Sequence, residues 1–305
     1  MRWLKRAVPI GAATLLLFLL FLYLGLPSRG EVRALAKTNP KETSVMRQRV
    51  REAEKAGRAP RRAQTWVPLS RVSRHLIHAI VAAEDPNFFG HEGVDWDAVK
   101  ESIEANVKKG RFARGGSTIT QQLAKNLFYT TYKNPVRKLR EFVVARWLEE
   151  DLTKSRILEL YLNVIEWGDG VYGAEAAAQR YYGKSVAVLN ETEAAGLAAM
   201  VPSPRRINPR TNAKRHAAAQ RRVLWLMARV GYVQRNVAGL GATPPPPVED
   251  DGGEEPMEEP PAPPAAPAAA ETAASTEAPA ETPASEPTPE PTSASAATPE
   301  PTAAP

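Results

Sequence analysis

Three short stretches carry the side chains that could do chemistry. The first is AAEDPNFFGHEG, residues 82–93. Glu84 follows an apolar run, Leu76-Ile77-His78-Ala79-Ile80-Val81, and is spaced by fours from Ile80 and Leu76. On a helix those three residues share a stripe, so Glu84 ends a buried face. Desolvation there would raise its pKa and suit it to proton transfer. The plainer alternative is an acid tied up in a local hydrogen bond, although a helix C-terminus disfavours negative charge. Phe88 and Phe89 read as core, and His91 as a histidine that fixes the loop. The second stretch is GGSTITQQLAKN, residues 115–126. Ser117 and Thr118 offer hydroxyls beside the N–H groups of a helix start, a natural anion site. Gln121 and Lys125 share a helix face, with Gln122 beside them, and Lys125 could hold a phosphate. An ordinary capped surface helix fits these residues equally well. In the third stretch, NPVRKLREF at 134–142, Glu141 lies four residues after Arg137 and is ringed by Arg137, Lys138 and Arg140. It is either an exposed i,i+4 pair worth about 0.3 kcal/mol or an acid kept ionised by its basic neighbours. One acid of raised pKa and one kept charged would suit glycosyl chemistry.

The elements that must position these residues read as helical from Ser70 to about Gly231, with no Val/Ile/Thr alternation long enough for a strand. Ser73 is expected to cap a helix reaching Ala83. Thr118 with Gln121 makes a capping-box pattern. Asn134 followed by Pro135 opens a helix over Val136 to Leu152. Ser155 is expected to cap Arg156 to Leu162, and Asn190 with Glu193 to open Glu191 to Met200. Gly168, Gly170 and Gly173 mark a tight turn. There is no GxGxxG, GKS or GKT pattern, so nucleotide binding is not indicated.

The charge is unevenly spread. The 305 residues hold 40 Lys and Arg against 34 Asp and Glu, but 13 of the acids and no base lie from Glu249 onward. The preceding residues therefore carry a net charge of +19. A basic body implies an anionic partner: nucleic acid, lipid headgroups or a phosphorylated substrate. With no cysteine there is neither a disulfide framework nor a thiolate metal site. Ala7 to Leu26 is free of charge, flanked by Arg2, Lys5 and Arg6 before and Arg29 after. Its length of roughly 30 Å as a helix matches the hydrocarbon core of a bilayer. Ala34-Leu35-Ala36 is the nearest small-residue cleavage site, and three charged residues separate it from the apolar run. An uncleaved anchor with a cytoplasmic N-terminus is therefore expected. The organisation expected is an anchor over 1–28, a polar juxtamembrane linker or stalk helix over 29–65, a folded domain over 66–236, and a Pro/Ala/Glu-rich tail over 237–305. The tail is too poor in large apolar residues to order itself.

Together, and in this order, these stretches resemble the signatures of the peptidoglycan glycosyltransferases, the lysozyme-like domain shared with class A penicillin-binding proteins. Glu84 to Gly93 is similar to the first signature, Gly116 to Gln122 with Lys125 and Asn126 to the second, and Arg137 to Glu141 to the third. Lys154 to Asn163, running on to Gly168, Gly173 and Tyr182-Gly183-Lys184, is similar to the fourth. The subgroup most like this chain is the monofunctional biosynthetic peptidoglycan transglycosylases of Gram-negative bacteria. The resemblance implies a mostly α, two-lobed lysozyme-like glycosyltransferase domain, behind one transmembrane helix and before a disordered tail. It implies polymerisation of lipid II into β-1,4-linked glycan, with inversion and release of undecaprenyl pyrophosphate. Glu84 matches the general base and Glu141 the second acid. Asp85, Phe88, His91, Ser117, Thr118, Gln121, Gln122, Lys125, Asn126, Lys133, Arg137 and Lys138 match substrate-contacting or site-shaping positions. Lys133 stands where relatives often carry arginine, which keeps the charge without the bidentate grip. Pro86 replaces a polar or small residue and biases Asp85 away from helical angles.

The resemblance leaves room for a divalent cation, Mg or Mn, near Glu141 and the pyrophosphate, with no cofactor otherwise required and no dedicated metal site. The partners implied are lipid II, the growing glycan, the bilayer and other cell-wall synthesis or division proteins, and not nucleic acid. The place implied is the bacterial inner membrane, single-pass, with the catalytic domain in the periplasm. Phe112, Phe128, Tyr129 and Tyr132 could form an apolar lip at the membrane. No SxxK, SxN or KTG pattern occurs, so cross-linking is not expected. Two rival readings remain: a glycan-cleaving muramidase or lytic transglycosylase of similar fold, and a non-catalytic envelope scaffold.

Overall fold

The computed structural model describes residues 2–109, 116–132, 134–234, 240–241 and 243–246. Lys133, Phe112, Gly115 and most of the acidic tail lie outside the described residues. The chain opens with helix α1 (Arg2–Leu24), which presents Leu15 to Leu20, Phe21 and Leu24 outward. Within Pro9–Ala34 a stretch of 18 residues reaches a mean hydropathy of 2.2, apolar and long enough to cross a membrane.

The stretch expected as a linker is folded. Ser28 and Glu31 form a capping box at the start of α2 (Arg29–Ala34), and Thr43 caps α3 (Ser44–Lys55). Val32 and Leu35 join the main core, while Val45 and Met46 are buried on α3. Arg156 fixes the exit of α2 by donating to the carbonyls of Leu35 at 2.8 Å and Thr38 at 2.9 Å. These few apolar side chains lie scattered among Arg and Glu, so no stripe announced them.

Strand β1 (Ala63–Gln64) leads to α4 (Arg74–Glu84), capped by Ser73. Then come α5 (Trp96–Lys109), α6 (Ile119–Phe128), α7 (Pro135–Asp151) and α8 (Lys154–Val164). The last is capped by Thr153 rather than Ser155. Thr153 has the extended backbone that a cap requires, whereas Ser155 lies inside the first turn. A hairpin of β2 (Glu166–Gly168) and β3 (Val171–Tyr172) follows, with β1 adding in parallel to β3. Strands of two or three residues leave no alternation to read. The described chain closes with α9 (Ala174–Tyr182), α10 (Glu191–Ala198) and α11 (Ala213–Arg229).

The chain is thus mostly α, and its helices fall into two groups around one core. Helix α4 packs against α10 and α11, while α6 packs against α7, α8 and α3. Asn163, fully buried at the end of α8, helps join the two. Its Oδ1 accepts from the Val67 N–H at 2.9 Å, and its Nδ2 donates to the Val67 carbonyl at 2.8 Å. Gly173 passes directly over the same residue. It has φ +81, and a Cβ there would sit 2.9 Å from the Asn163 carbonyl. Asn163→Ala would strand both Val67 groups in the core. The expected loss is about 3 kcal/mol, a fall in Tm of roughly 6–12 °C, measured by far-UV circular dichroism of the purified protein.

Candidate active site

Helix α4 buries Leu76 and Ile80 and ends on Glu84, as the spacing predicts. Glu84 is half-buried, and the Gln122 amide donates to its Oε2 at 2.7 Å. Gln122 is aimed in turn by Tyr161, a fully buried side chain of α8 whose hydroxyl donates to Gln122 Oε1 at 2.9 Å. Burial pushes the Glu84 carboxyl above the usual carboxylate range. The Gln122 hydrogen bond and the nearby Lys125 ammonium pull the other way, and Asp85 adds to the rise. A carboxylate in this setting is a stronger base than an exposed one.

Asp85 faces inward and is only 4% exposed. Its backbone (φ −160) leaves the helix just before Pro86. Its Oδ2 accepts from the Ile119 N–H, the first of α6, at 3.0 Å. His91 Nδ1 accepts from the Gly93 N–H at 3.1 Å, so the ring proton is on Nε2 and is donated to Asp85 at 3.0 Å. Thr118 donates to the Gly93 carbonyl at 2.6 Å and caps α6 together with Gln121. The helix start expected to receive a substrate anion is therefore occupied by the protein's own carboxylate. Phe88 is fully buried, edge-on to Phe89 and His91, with the Lys154 ammonium 4.5 Å from its ring centre. Asn126 turns its amide back to the Gln122 carbonyl at 2.8 Å, a bond within its own helix.

Glu141 lies on the inward face of α7 and is 2% exposed. Arg137 Nε is 2.9 Å from its Oε1 and Lys138 Nζ 3.5 Å from its Oε2. Lys138 is also held by Ser117 Oγ at 2.8 Å and Gln121 Oε1 at 3.2 Å. Arg140 does not complete the ring expected around Glu141. The side chain after Lys138 and Leu139 on a helix points elsewhere, and Arg140 reaches α1 instead.

Lys125 stands between the two acids. Its ammonium senses both Glu141 and Glu84, and burial lowers its pKa against their pull. Among the described residues it has no ion-pair partner within 4.0 Å. The structure thus links Glu84, Gln122, Lys125, Gln121, Ser117, Lys138, Arg137 and Glu141 in one polar cluster. Asp85, His91, Thr118 and Phe88 lie behind them as supports. Tyr161 could not be singled out from the sequence: inside LELYLNV it looks like one more core aromatic, and its partner is 39 residues away. Of the expected lip, Tyr132 is exposed, while Phe128 and Tyr129 are half-buried against the core.

Known proteins give the chain its family. The transglycosylase family model matches residues 51–228. The biosynthetic peptidoglycan transglycosylase of Herminiimonas arsenicoxydans is 52% identical over 167 residues, 55% of this chain and 72% of that protein. Its counterpart in Azoarcus sp. (strain BH72) is 46% identical over 205 residues, 67% of this chain and 86% of that protein. The counterpart in Thiobacillus denitrificans is 41% identical over 232 residues, 76% and 96% of the two chains. Penicillin-binding protein 1A from Haemophilus influenzae aligns at 22% identity with a TM-score of 0.34, over 59% of this chain and 17% of its own, too distant to weigh. With a family match over more than half its length and relatives this similar, the chain belongs to the transglycosylase family.

Proposed function

We propose that this protein is a membrane-anchored peptidoglycan glycosyltransferase that joins lipid II units into β-1,4-linked glycan. The observation that carries the reading is the pairing of two unlike carboxylates across the Lys125 ammonium, which has no ion pair among the described residues. Glu84 has a raised pKa and no ion pair among the described residues, while Glu141 is held by Arg137 and Lys138. In the reaction, the Glu84 carboxylate takes the proton from the 4-hydroxyl of the acceptor sugar. That oxygen bonds to C1 of the donor from the face opposite the leaving group, which inverts the configuration from α to β. The C1–O bond to the pyrophosphate breaks, and its electron pair leaves with the undecaprenyl pyrophosphate. Lys125, Arg137 and Lys138 supply positive charge where negative charge develops. Glu141 keeps Arg137 and Lys138 aimed at that place.

A divalent cation at Glu141 would find one carboxylate already facing two cations. No group of three acid or histidine side chains suited to a metal exists among the described residues. An ion there would take Glu141 and the substrate's own phosphate oxygens as ligands, and the steps above draw on the side-chain charges alone. Helix α1 would hold the enzyme in the inner membrane with the domain on the periplasmic face, where a lipid-linked substrate and a basic cleft meet.

Purified full-length protein should convert fluorescent lipid II into polymer ladders on a gel. Glu84→Gln and Glu141→Gln should each lower the rate by roughly 10²–10⁴-fold. Cleavage of finished sacculi without any polymerisation would overturn the reading. Because the base works only when ionised, kcat/KM should fall as pH drops through the raised Glu84 pKa, above the usual value of about 4.3. Gln122→Ala removes a bond that favours the charged form, so its acid limb should move to higher pH in the same assay. Folding raises the Glu84 pKa, so wild-type stability is fullest below the unfolded pKa and is lost as pH rises through the folded one. Glu84→Gln escapes that loss. Its melting temperature should exceed that of wild type at about pH 8, and the gap should close below about pH 4.

A further inference from the structure

The helix that carries Glu141 also holds the end of the membrane helix. α1 stops at Leu24, where its last carbonyls lose their regular helical donors; Leu22 and Tyr23 keep only turn bonds from the Gly25 N–H at 3.3 Å and the Leu26 N–H at 3.0 Å. Arg140 supplies donors from α7. Its Nε donates to the Leu22 carbonyl at 3.1 Å and its Nη2 to the Phe21 carbonyl at 2.6 Å. The guanidinium lies 4.9 Å from the centre of the Phe21 ring. A cation here also complements the negative end of the α1 dipole. Gly25 makes the fit possible, because a Cβ at that position would fall on the guanidinium.

The chain then runs along α7 instead of away from it. Arg29 pairs with Glu150 at 2.7 Å and Asp151 at 2.8 Å, and stacks over Trp147 at 5.2 Å. Arg33 reaches Asp151 at 3.4 Å. The two grips on α7, at Arg140 and at Glu150–Asp151, are about 16 Å apart along the helix. No free tether separates the last membrane turn from the helix that bears Glu141.

We propose that Arg140 is a positioning residue. By capping α1 it fixes α7 against the membrane helix, and so sets the height and tilt at which Arg137, Lys138 and Glu141 meet a lipid-linked pyrophosphate. The proposal rests on the polymerase reading above. A substrate whose tail stays in the bilayer presents its pyrophosphate at one depth, and the cleft must meet it there. Arg140 bonds to α1 carbonyls and not to Glu141, so it acts only through α7.

The test compares full-length wild type, Arg140→Ala, Gly25→Ala and the double variant. Each is assayed for lipid II polymerisation in liposomes and in detergent micelles, which adapt to the protein. Both single variants should lower the liposome-to-micelle rate ratio about tenfold. The double variant should be no worse than either single one, since both break the same contact. Gly25→Ala leaves α7 untouched and keeps the test intact if Arg140→Ala folds poorly. With active wild type, an unchanged ratio in Gly25→Ala, equal losses in both media, or additive losses in the double variant would overturn the clamp. Wild type that makes no polymer in either medium would instead remove the polymerase reading, and the clamp's role with it.

Discussion

Much of the site depends on a single buried contact between charge and dipole. Asp85 carries a carboxylate into the interior and sets it on the first N–H of α6, with His91 donating from the side. An acid at the start of a helix is stabilised by the partial positive charge there. The contact also fixes geometry. Glu84 is the residue before Asp85, and Gln122 lies one turn into α6, so joining Asp85 to Ile119 brings Gln122 to Glu84 at 2.7 Å. Thr118 secures the far end of the same loop through Gly93. Two adjacent acids therefore have opposite duties. One takes up the helix start and orders the loop, which leaves the other without a cation of its own and with its pKa raised.

Helix α7 has a comparable double duty, divided by face. Arg137, Lys138 and Glu141 turn toward the polar cluster, Val144, Ala145 and Leu148 are buried, and Arg140, Trp147, Glu150 and Asp151 face α1 and its continuation. A further face leaves Leu139 and Val143 exposed, with Phe142 stacked on Trp96 of α5. A helix that serves so many surroundings has no single polar side, which is why its apolar periodicity is weak in the sequence.

What could be read from the sequence was local. Ser73, Thr118, Asn134 and Asn190 each cap a helix by binding an N–H two or three residues ahead, so a few letters contain both partners. The stripe Leu76, Ile80, Glu84 is local in the same sense. The remainder depends on partners far along the chain. Asp85 meets Ile119 34 residues on, Tyr161 meets Gln122 at a separation of 39, and Arg140 meets Leu22 at 118. No spacing encodes such pairs. The resemblance therefore offered Glu84, Gln122 and Glu141 as candidates, but not the distant contacts that hold them. The three strands and the packing of α2 and α3 escaped notice for the same reason, because their order comes from distant neighbours and not from their own pattern.

The folding of residues 29–65 bears on how the enzyme could be made water-soluble. A cut at Trp66, where the sequence first looks globular, would discard Val32 and Leu35 from the core and β1 from its sheet. It would also remove the Gln48 side chain, which both donates to and accepts from Thr131 at 2.8 Å in the turn before α7. An anchor-free version that keeps its interior must begin no later than Ser28, where the capping box of α2 starts. The border between the apolar helix α1 and the folded body is then only a few residues wide, from Leu24 to Ser28.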